Sequence, residues 1–127
     1  MCSSDLELGW WLDDAKYIDS SFSLEIPCTE FFSQGLELDW SIFGWDACLR
    51  PSGDDWEYLR FQRKEWKKIN NEKERKYLKN AFRVLLTRGR QGTIIFVPSG
   101  DKSDQSRLPK FYDGIYDYLK ELGIREI

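Results

Sequence analysis

The polar and apolar positions of this chain change period twice, and those changes outline its elements. SFSLEIP (21–27) places Phe22, Leu24 and Ile26 on one face and stops at Pro27, the alternation of a short half-buried strand. CTEFFSQG (28–35) reads as one helical turn capped by Thr29 and ended by Gly35. LELDWSIFGWDACL (36–49) is dense in apolar and aromatic residues and predicts a central strand. RPSGDD (50–55) is a loop by its Pro, Gly and Asp content. WEYLRFQRKEW (56–66) alternates again through Trp56, Tyr58 and Arg60, and predicts a hairpin arm paired with the strand before it.

From Asn71 the period becomes helical. Tyr77, Leu78, Ala81, Phe82, Leu85 and Leu86 form a wide apolar stripe, and Val84 widens it until the last turns should be buried nearly all round. Asn71 is a candidate N-cap, Glu72 and Glu74 fall in the first turn, and no Pro or Gly intervenes before Gly89, so the helix is expected over 72–88. GTIIFVP (92–98) is a continuous apolar run, as a parallel strand covered on both faces would be. A second helix follows Pro109, with Phe111, Ile115, Leu119 and Leu122 on one face and Gly123 as its stop. A helix joining two strands implies a right-handed βαβ crossover. The fold class is therefore α/β, a mostly parallel sheet with flanking helices and a β-hairpin arm. Residues 1–20, polar and acidic apart from Trp10, Trp11 and Leu12, read as a loosely ordered lead-in to a single domain over 21–127.

Composition narrows the chemistry by exclusion. There is no histidine among the 127 residues, which removes Ser-His-Asp and Cys-His catalysis and disfavours a zinc site; no metal ligands are assigned. Cys2, Cys28 and Cys48 are odd in number and have no CxxC spacing, so they read as free thiols of a reducing compartment. With no secretory signal pattern and no apolar run approaching ~18 residues, the expected location is cytoplasmic, away from membranes.

Charge is distributed unevenly behind a net value of −3: residues 1–59 carry −11, residues 60–90 carry +9, and the remainder carry −1. A segment of that sign and density is the electrostatic footprint of a phosphate-binding surface. Within it, Arg60, Arg63, Lys64, Lys67 and Lys68 interleave with Trp56, Phe61 and Trp66, a pattern that stacks bases and tracks phosphates. An alternative stays open, in which the tryptophans pack the arm onto the sheet and the lysines face water. Lys73, Lys76 and Lys79 fit a solvated helix face equally well.

Two stretches carry more specific information. QGLELDW (34–40) resembles motif V of superfamily-one helicases, the Gln-Gly-x-Glu turn before a strand of the second RecA-like motor domain. NAFRVLLTRGRQGTIIFVP (80–98) resembles their motif VI, in which a Thr-Arg at a helix end supplies an arginine finger. With FYDGIYDYLKELGI (111–124) following in order, almost the whole chain is similar to the C-terminus of bacterial Schlafen-type DNA/RNA helicase-like proteins. The resemblance implies a partial RecA-like domain and assigns Arg88 as the arginine finger, with Arg90 beside it. It places Gln34, Gly35 and Glu37 along a nucleotide cleft and Thr29 near a nucleic-acid phosphate. Glu37 has an alternative role in an ion pair with Arg88 or Arg90. The chain departs from the pattern at Gly89, where the family has alanine and where glycine should loosen the turn. It departs again at RFQRKEW (60–66), which lacks the glycine of the family's arm. Both stretches are expected at the carboxyl-end positions where open α/β sheets gather functional groups.

No Gly-Lys pair occurs in the chain, and so no GxxxxGKS/T phosphate loop. The parts present are those that act on a nucleotide held elsewhere. ATP and Mg²⁺ are thus expected only in a complete motor, with an N-terminal P-loop ATPase domain as partner and DNA or RNA as ligand; alone, the chain should bind no cofactor and be inactive. Met1 falls partway into the family pattern, as in a truncated or split gene product. The alternatives are a non-enzymatic nucleic-acid-binding module and a non-functional truncated remnant.

Overall fold

Backbone hydrogen bonds in the computed structural model, which describes Gly35 and residues 37–127, divide five strands between two small sheets. Strands β1 (Leu38–Gly44) and β5 (Gly89–Phe96) pair in parallel. Strands β2 (Leu49–Ser52), β3 (Asp55–Gln62) and β4 (Glu65–Lys68) form an antiparallel meander in the order β2-β3-β4. Helix α1 (Glu72–Leu86) lies between β4 and β5 in the chain, and α2 (Lys110–Glu121) follows β5. The result is mixed α/β over a compact unit, residues 38–127. The expectation of a mostly parallel sheet holds only for β1 and β5. Two-residue loops join β2 to β3 and β3 to β4, and loops that short can connect only antiparallel neighbours. The strand and helical turn read from residues 21–34, and the lead-in before them, lie outside the described residues.

The long strand expected over 36–49 is broken after Gly44. The Trp45 amide still bonds the Phe96 carbonyl at 2.9 Å, but the Asp46 carboxylate then captures the Ala47 amide at 2.7 Å, a local bond that competes with a ladder. The Trp45 indole N–H reaches forward to the Leu49 carbonyl at 2.9 Å and fixes the corner. RPSGDD is likewise not a loop throughout. Pro51 stands opposite Trp56 in β2, tolerated because β2 is an edge strand that can lack an N–H donor. Only Gly53 and Asp54 turn, with Gly53 at φ 62°, the left-handed conformation that the first position of such a hairpin loop demands.

The core explains most of the aromatic content. Phe43 and Trp45 from the β1 end, Phe82 of α1, and Tyr112, Ile115 and Leu119 of α2 are buried together with Ala47 and Leu49. Phe82 meets Phe43 edge-on at 5.4 Å and Trp45 at 5.1 Å between ring centroids, while Trp56 stacks on Trp45 at 6.0 Å and meets Tyr118 at 4.9 Å. Edge-to-face pairs of this kind contribute ~0.5–1.5 kcal/mol beyond the area they bury.

The parallel pair is two-faced. Phe43 and Ile95, opposite one another, turn toward the core. Trp40 and Ile42, 60% and 65% exposed, share the other face with Ile94 and Phe96. Coverage on both faces, expected from the apolar run, is therefore not found among the described residues. Helix α1 also departs from its reading. It ends at Leu86, not 88, because Thr87 leaves helical geometry at φ −106°, ψ 11°. Its last turns are not buried all round: Val84, Leu85 and Leu86 are half-buried and Phe82 alone is buried. Helix α2 buries Tyr112, Ile115 and Leu119, so its inner face is rotated slightly from the one expected, leaving Phe111 half-buried and Leu122 exposed.

Candidate functional site

Arg88 and Arg90 stand at a junction where the last carbonyls of α1 are capped from several sides. The last carbonyls of a helix have no partner within it. Here the Thr87 hydroxyl donates to the carbonyls of Arg83 (2.8 Å) and Val84 (3.1 Å), and the Arg88 Nε donates to the same Val84 carbonyl at 2.9 Å. The Thr93 hydroxyl, within 2.9 Å of the Ser41 hydroxyl, reaches the Leu86 carbonyl at 3.4 Å. The Arg88 carbonyl in turn accepts from the Leu38 amide at 2.9 Å, locking the helix end to the start of β1. One atom of the Arg88 guanidinium is thus tied to its own helix, which orients the rest of the group.

The two glycines have a definite steric role. Leu38 pairs with Gly89 and Trp40 with Gly92, so β5 carries one extra residue over β1: a β-bulge at Arg90–Gln91. The bulge folds the strand back until a Cβ on Gly89 would overlap the Gly92 carbonyl, and a Cβ on Gly92 would overlap the Trp40 indole. Gly89 does not loosen this turn, as its departure from alanine suggested. It permits a closer approach of backbone to backbone than alanine would. Arg88 is half-buried and Arg90 exposed. Both lie at the amino end of the parallel pair, since β5 begins at Gly89 and β1 at Leu38. The carboxyl-end position expected from open α/β sheets is therefore corrected: the motifs precede their strands rather than follow them. Gly35 is an exposed turn residue at φ 80°, and Glu37, exposed, directly precedes β1. Thr29 and Gln34 lie outside the described residues.

The remaining candidates gather on the β3–β4 hairpin. Arg60 faces Lys67 directly across the ladder, a like-charge pair that is destabilising in itself. Glu74 of α1 offsets it through an ion pair with Arg60. Arg63 and Lys64 form the tip, at φ 51° and 68°. Two-residue hairpin loops require this left-handed geometry, but they ordinarily meet it with Asn-Gly; cationic side chains here are strained. Trp66 is engaged inside the fold. Its N–H donates to the Ser106 carbonyl at 2.7 Å, its ring lies 5.2 Å from Phe61, and the Arg50 guanidinium is 5.1 Å from it. Trp56 and Trp66 are placed as the packing alternative expects, and the exposure of Lys64 and Lys67, with Arg63 beside them, agrees with it too.

Sequence reasoning passed over Arg50. Its guanidinium stacks 3.8 Å from the Phe111 ring, its Nε donates to the Ala47 carbonyl at 2.6 Å, and one Nη is buried without a hydrogen-bond partner. Burial opposes its charge and lowers its pKa, with Glu57 first among the groups that push back. Nothing in CLRPS marks it, because the rings it stacks on, Trp66 and Phe111, come from β4 and α2. Tyr77 was read as part of the apolar stripe but is 53% exposed; periodicity alone does not separate a stripe's rim from its centre. Past β5, the Asp104 carboxyl is lowered to about 2 by the Ser106 hydroxyl and amide and by Arg107, and Ser103 lowers Asp101 in the same way.

Among the described residues no group of three or more His, Cys, Asp or Glu side chains is placed to hold a metal, and no helix is long and apolar enough to cross a membrane. Neither the curated proteins nor the solved structures gave a significant match. The family model for the Schlafen group 3 DNA/RNA helicase domain matches residues 1–99, a span that takes in β1 through β5 and both arginines of the junction. By that match over most of its length, the chain belongs to the Schlafen group 3 DNA/RNA helicase domain family.

Proposed function

We propose that this helicase-like chain is the second, RecA-like half of a superfamily-one motor, supplying Arg88 as an arginine finger to ATP held with Mg²⁺ on a separate P-loop domain. The observation that carries this reading is the capped junction. Val84 holds the Arg88 Nε, and the bulge between Gly89 and Gly92 sets the backbone on either side of Arg90. With Nε anchored, the fork of terminal nitrogens is the part that meets the γ-phosphate, and a guanidinium's fixed geometry suits phosphate oxygens better than an ammonium does. Such a finger stabilises charge developing on the transferring phosphoryl group and is worth ~10³–10⁵ in rate. Arg90 shares the phosphate or braces the turn. Gln34, Gly35 and Glu37 line the cleft, and Thr29 approaches the nucleic acid. The test is ATP turnover by the motor with its P-loop domain restored. Arg88→Ala and Arg88→Lys should both lose most of the nucleic-acid-stimulated rate, and unchanged turnover in Arg88→Ala removes the assignment.

The hairpin favours a second reading that also stands without ATP, a nucleic-acid-binding module. Arg60 faces Lys67 across the ladder, and Arg63 and Lys64 hold the tip at the expense of backbone strain, a concentration of cations that a polyanion would meet. Binding should weaken steeply with salt as counterions are released on association. Affinity that ignores salt would exclude this reading.

A further inference from the structure

Between the hairpin and the first turns of α1 lies an open groove of about 500 Å³, a volume typical of small-ligand sites. Buried Leu59 and Ile69 form its floor, and Phe61 and Tyr77 stand on its walls, 48% and 53% exposed. Arg60 and Lys73 also line it, together with the carboxylates of Asp46 and Glu74. Large aromatic rings left half in water beside an apolar floor are the features that need explaining, since α1 and the hairpin had core positions to bury them. The groove is also remote from the arginine junction: from Glu74 to Leu86, its last residue, α1 rises ~18 Å.

We propose that this groove receives an unpaired base of single-stranded nucleic acid, stacked on Phe61 and Tyr77, with its flanking phosphates on Lys73 and the hairpin cations. The assignment rests on the nucleic-acid-binding reading above and adds to it a requirement for a base. Two observations and a steric argument converge on it. The site combines exposed π faces with cations, the pairing by which single strands are held without sequence preference. The groove's own charges balance, Arg60 and Lys73 against Asp46 and Glu74, but most of its lining comes from residues 60–90, whose net charge is +9, and the exposed Arg63, Lys64 and Lys67 of the hairpin are the cations a polyanion would meet. A base within a duplex is stacked on both sides and cannot enter, so an unpaired strand is the form selected.

The experiment is fluorescence anisotropy of the full chain with labelled 12-nucleotide strands: oligo-dT, oligo-U, an abasic deoxyribose strand of equal charge, and a duplex. Oligo-dT and oligo-U should bind more tightly than the abasic strand and the duplex, and their ratio reports any preference between DNA and RNA. Phe61→Ala with Tyr77→Ala should cost roughly 5- to 150-fold for base-bearing strands, the range expected for losing one base's stacking. The abasic strand should be unaffected and the salt slope unchanged. Tyr77→Phe keeps the ring and should keep the affinity. Equal, salt-dependent binding of abasic and base-bearing strands by the unaltered chain overturns the groove while leaving the basic hairpin intact. Absence of binding to every strand overturns both. Because the comparison of strands uses the unaltered chain, it decides the matter even if the double variant fails to fold.

Discussion

Replacing Arg63-Lys64 by Asn-Gly sets stability against function at one turn. Both residues occupy the left-handed region, at φ 51° and 68°. For an ordinary L-residue that region costs ~1–2 kcal/mol, through the approach of Cβ to the following carbonyl oxygen. Asn relieves part of this cost at the first position. Gly relieves all of it at the second but brings ~0.5–1 kcal/mol of extra freedom to the unfolded chain. The net gain is about 1–2 kcal/mol, and for a domain of this size each kcal/mol raises Tm by roughly 4–8 °C. The same change deletes two cations from the hairpin. If both meet phosphates, the dependence of log K on log salt for a single strand falls by about 1.4. Thermal unfolding followed by circular dichroism and anisotropy titrations at several salt concentrations read the two effects separately. A Tm that stays level or falls would refute the claim of strain. A higher Tm with unchanged affinity and salt slope would show that the strained cations do not serve nucleic acid.

Gly89→Ala should destabilise the chain by ~1–3 kcal/mol in a denaturant titration, since the new methyl meets the Gly92 carbonyl. A neutral result would mean that the bulge relaxes at little cost. Arg50→Lys should lose ~1–2 kcal/mol, because an ammonium cannot lie flat on Phe111 while bonding the Ala47 carbonyl; stability equal to the parent would remove the stacking role. Asp104 is depressed from the usual carboxylate range to about 2, so its contribution is complete above ~4 and is lost as the pH falls through about 2. Asp104→Asn should therefore flatten the fall in Tm between pH 4 and 2 relative to the parent, and parallel acid limbs would refute the bonding described for the 101–107 loop.

What was legible in the sequence follows the range of the forces involved. Helix α1 could be read because its signals are local: Asn71 accepts from the amides of Lys73 and Glu74, as an N-cap should, and the stripe through Phe82 repeats at helical spacing. The parallel pairing of β1 with β5 could be inferred from an apolar run after a helix. The corner at Trp45–Asp46 could not, since LELDWSIFGWDACL stays rich in apolar and aromatic residues on both sides of it and the break depends on one carboxylate capturing one amide. The β2 strand was hidden by Pro51 and Gly53, residues that mark a loop unless the strand is known to be an edge. At the junction, the motif singled out Arg88 and Arg90 as candidates but misjudged Gly89, because the tight contact is with a carbonyl brought back by the bulge. The exposure of Phe61 and Tyr77 depends on how the hairpin meets α1, which neither segment encodes alone.

The extra residue in β5 separates two requirements that a regular strand would bind together. In an unbroken strand, faces alternate without exception, so the direction of Arg90 would be dictated by whichever face Ile95 must turn to the core. One inserted position removes that dictation: Thr93 through Phe96 keep step with Ser41 through Gly44, while the segment before Gly92 runs in the opposite phase. Arginine placement and core packing can thus drift independently in evolution. A substitution within the apolar run would be felt as stability alone. Loss of the single residue Gln91 would leave that run in register and turn the arginine-bearing segment over.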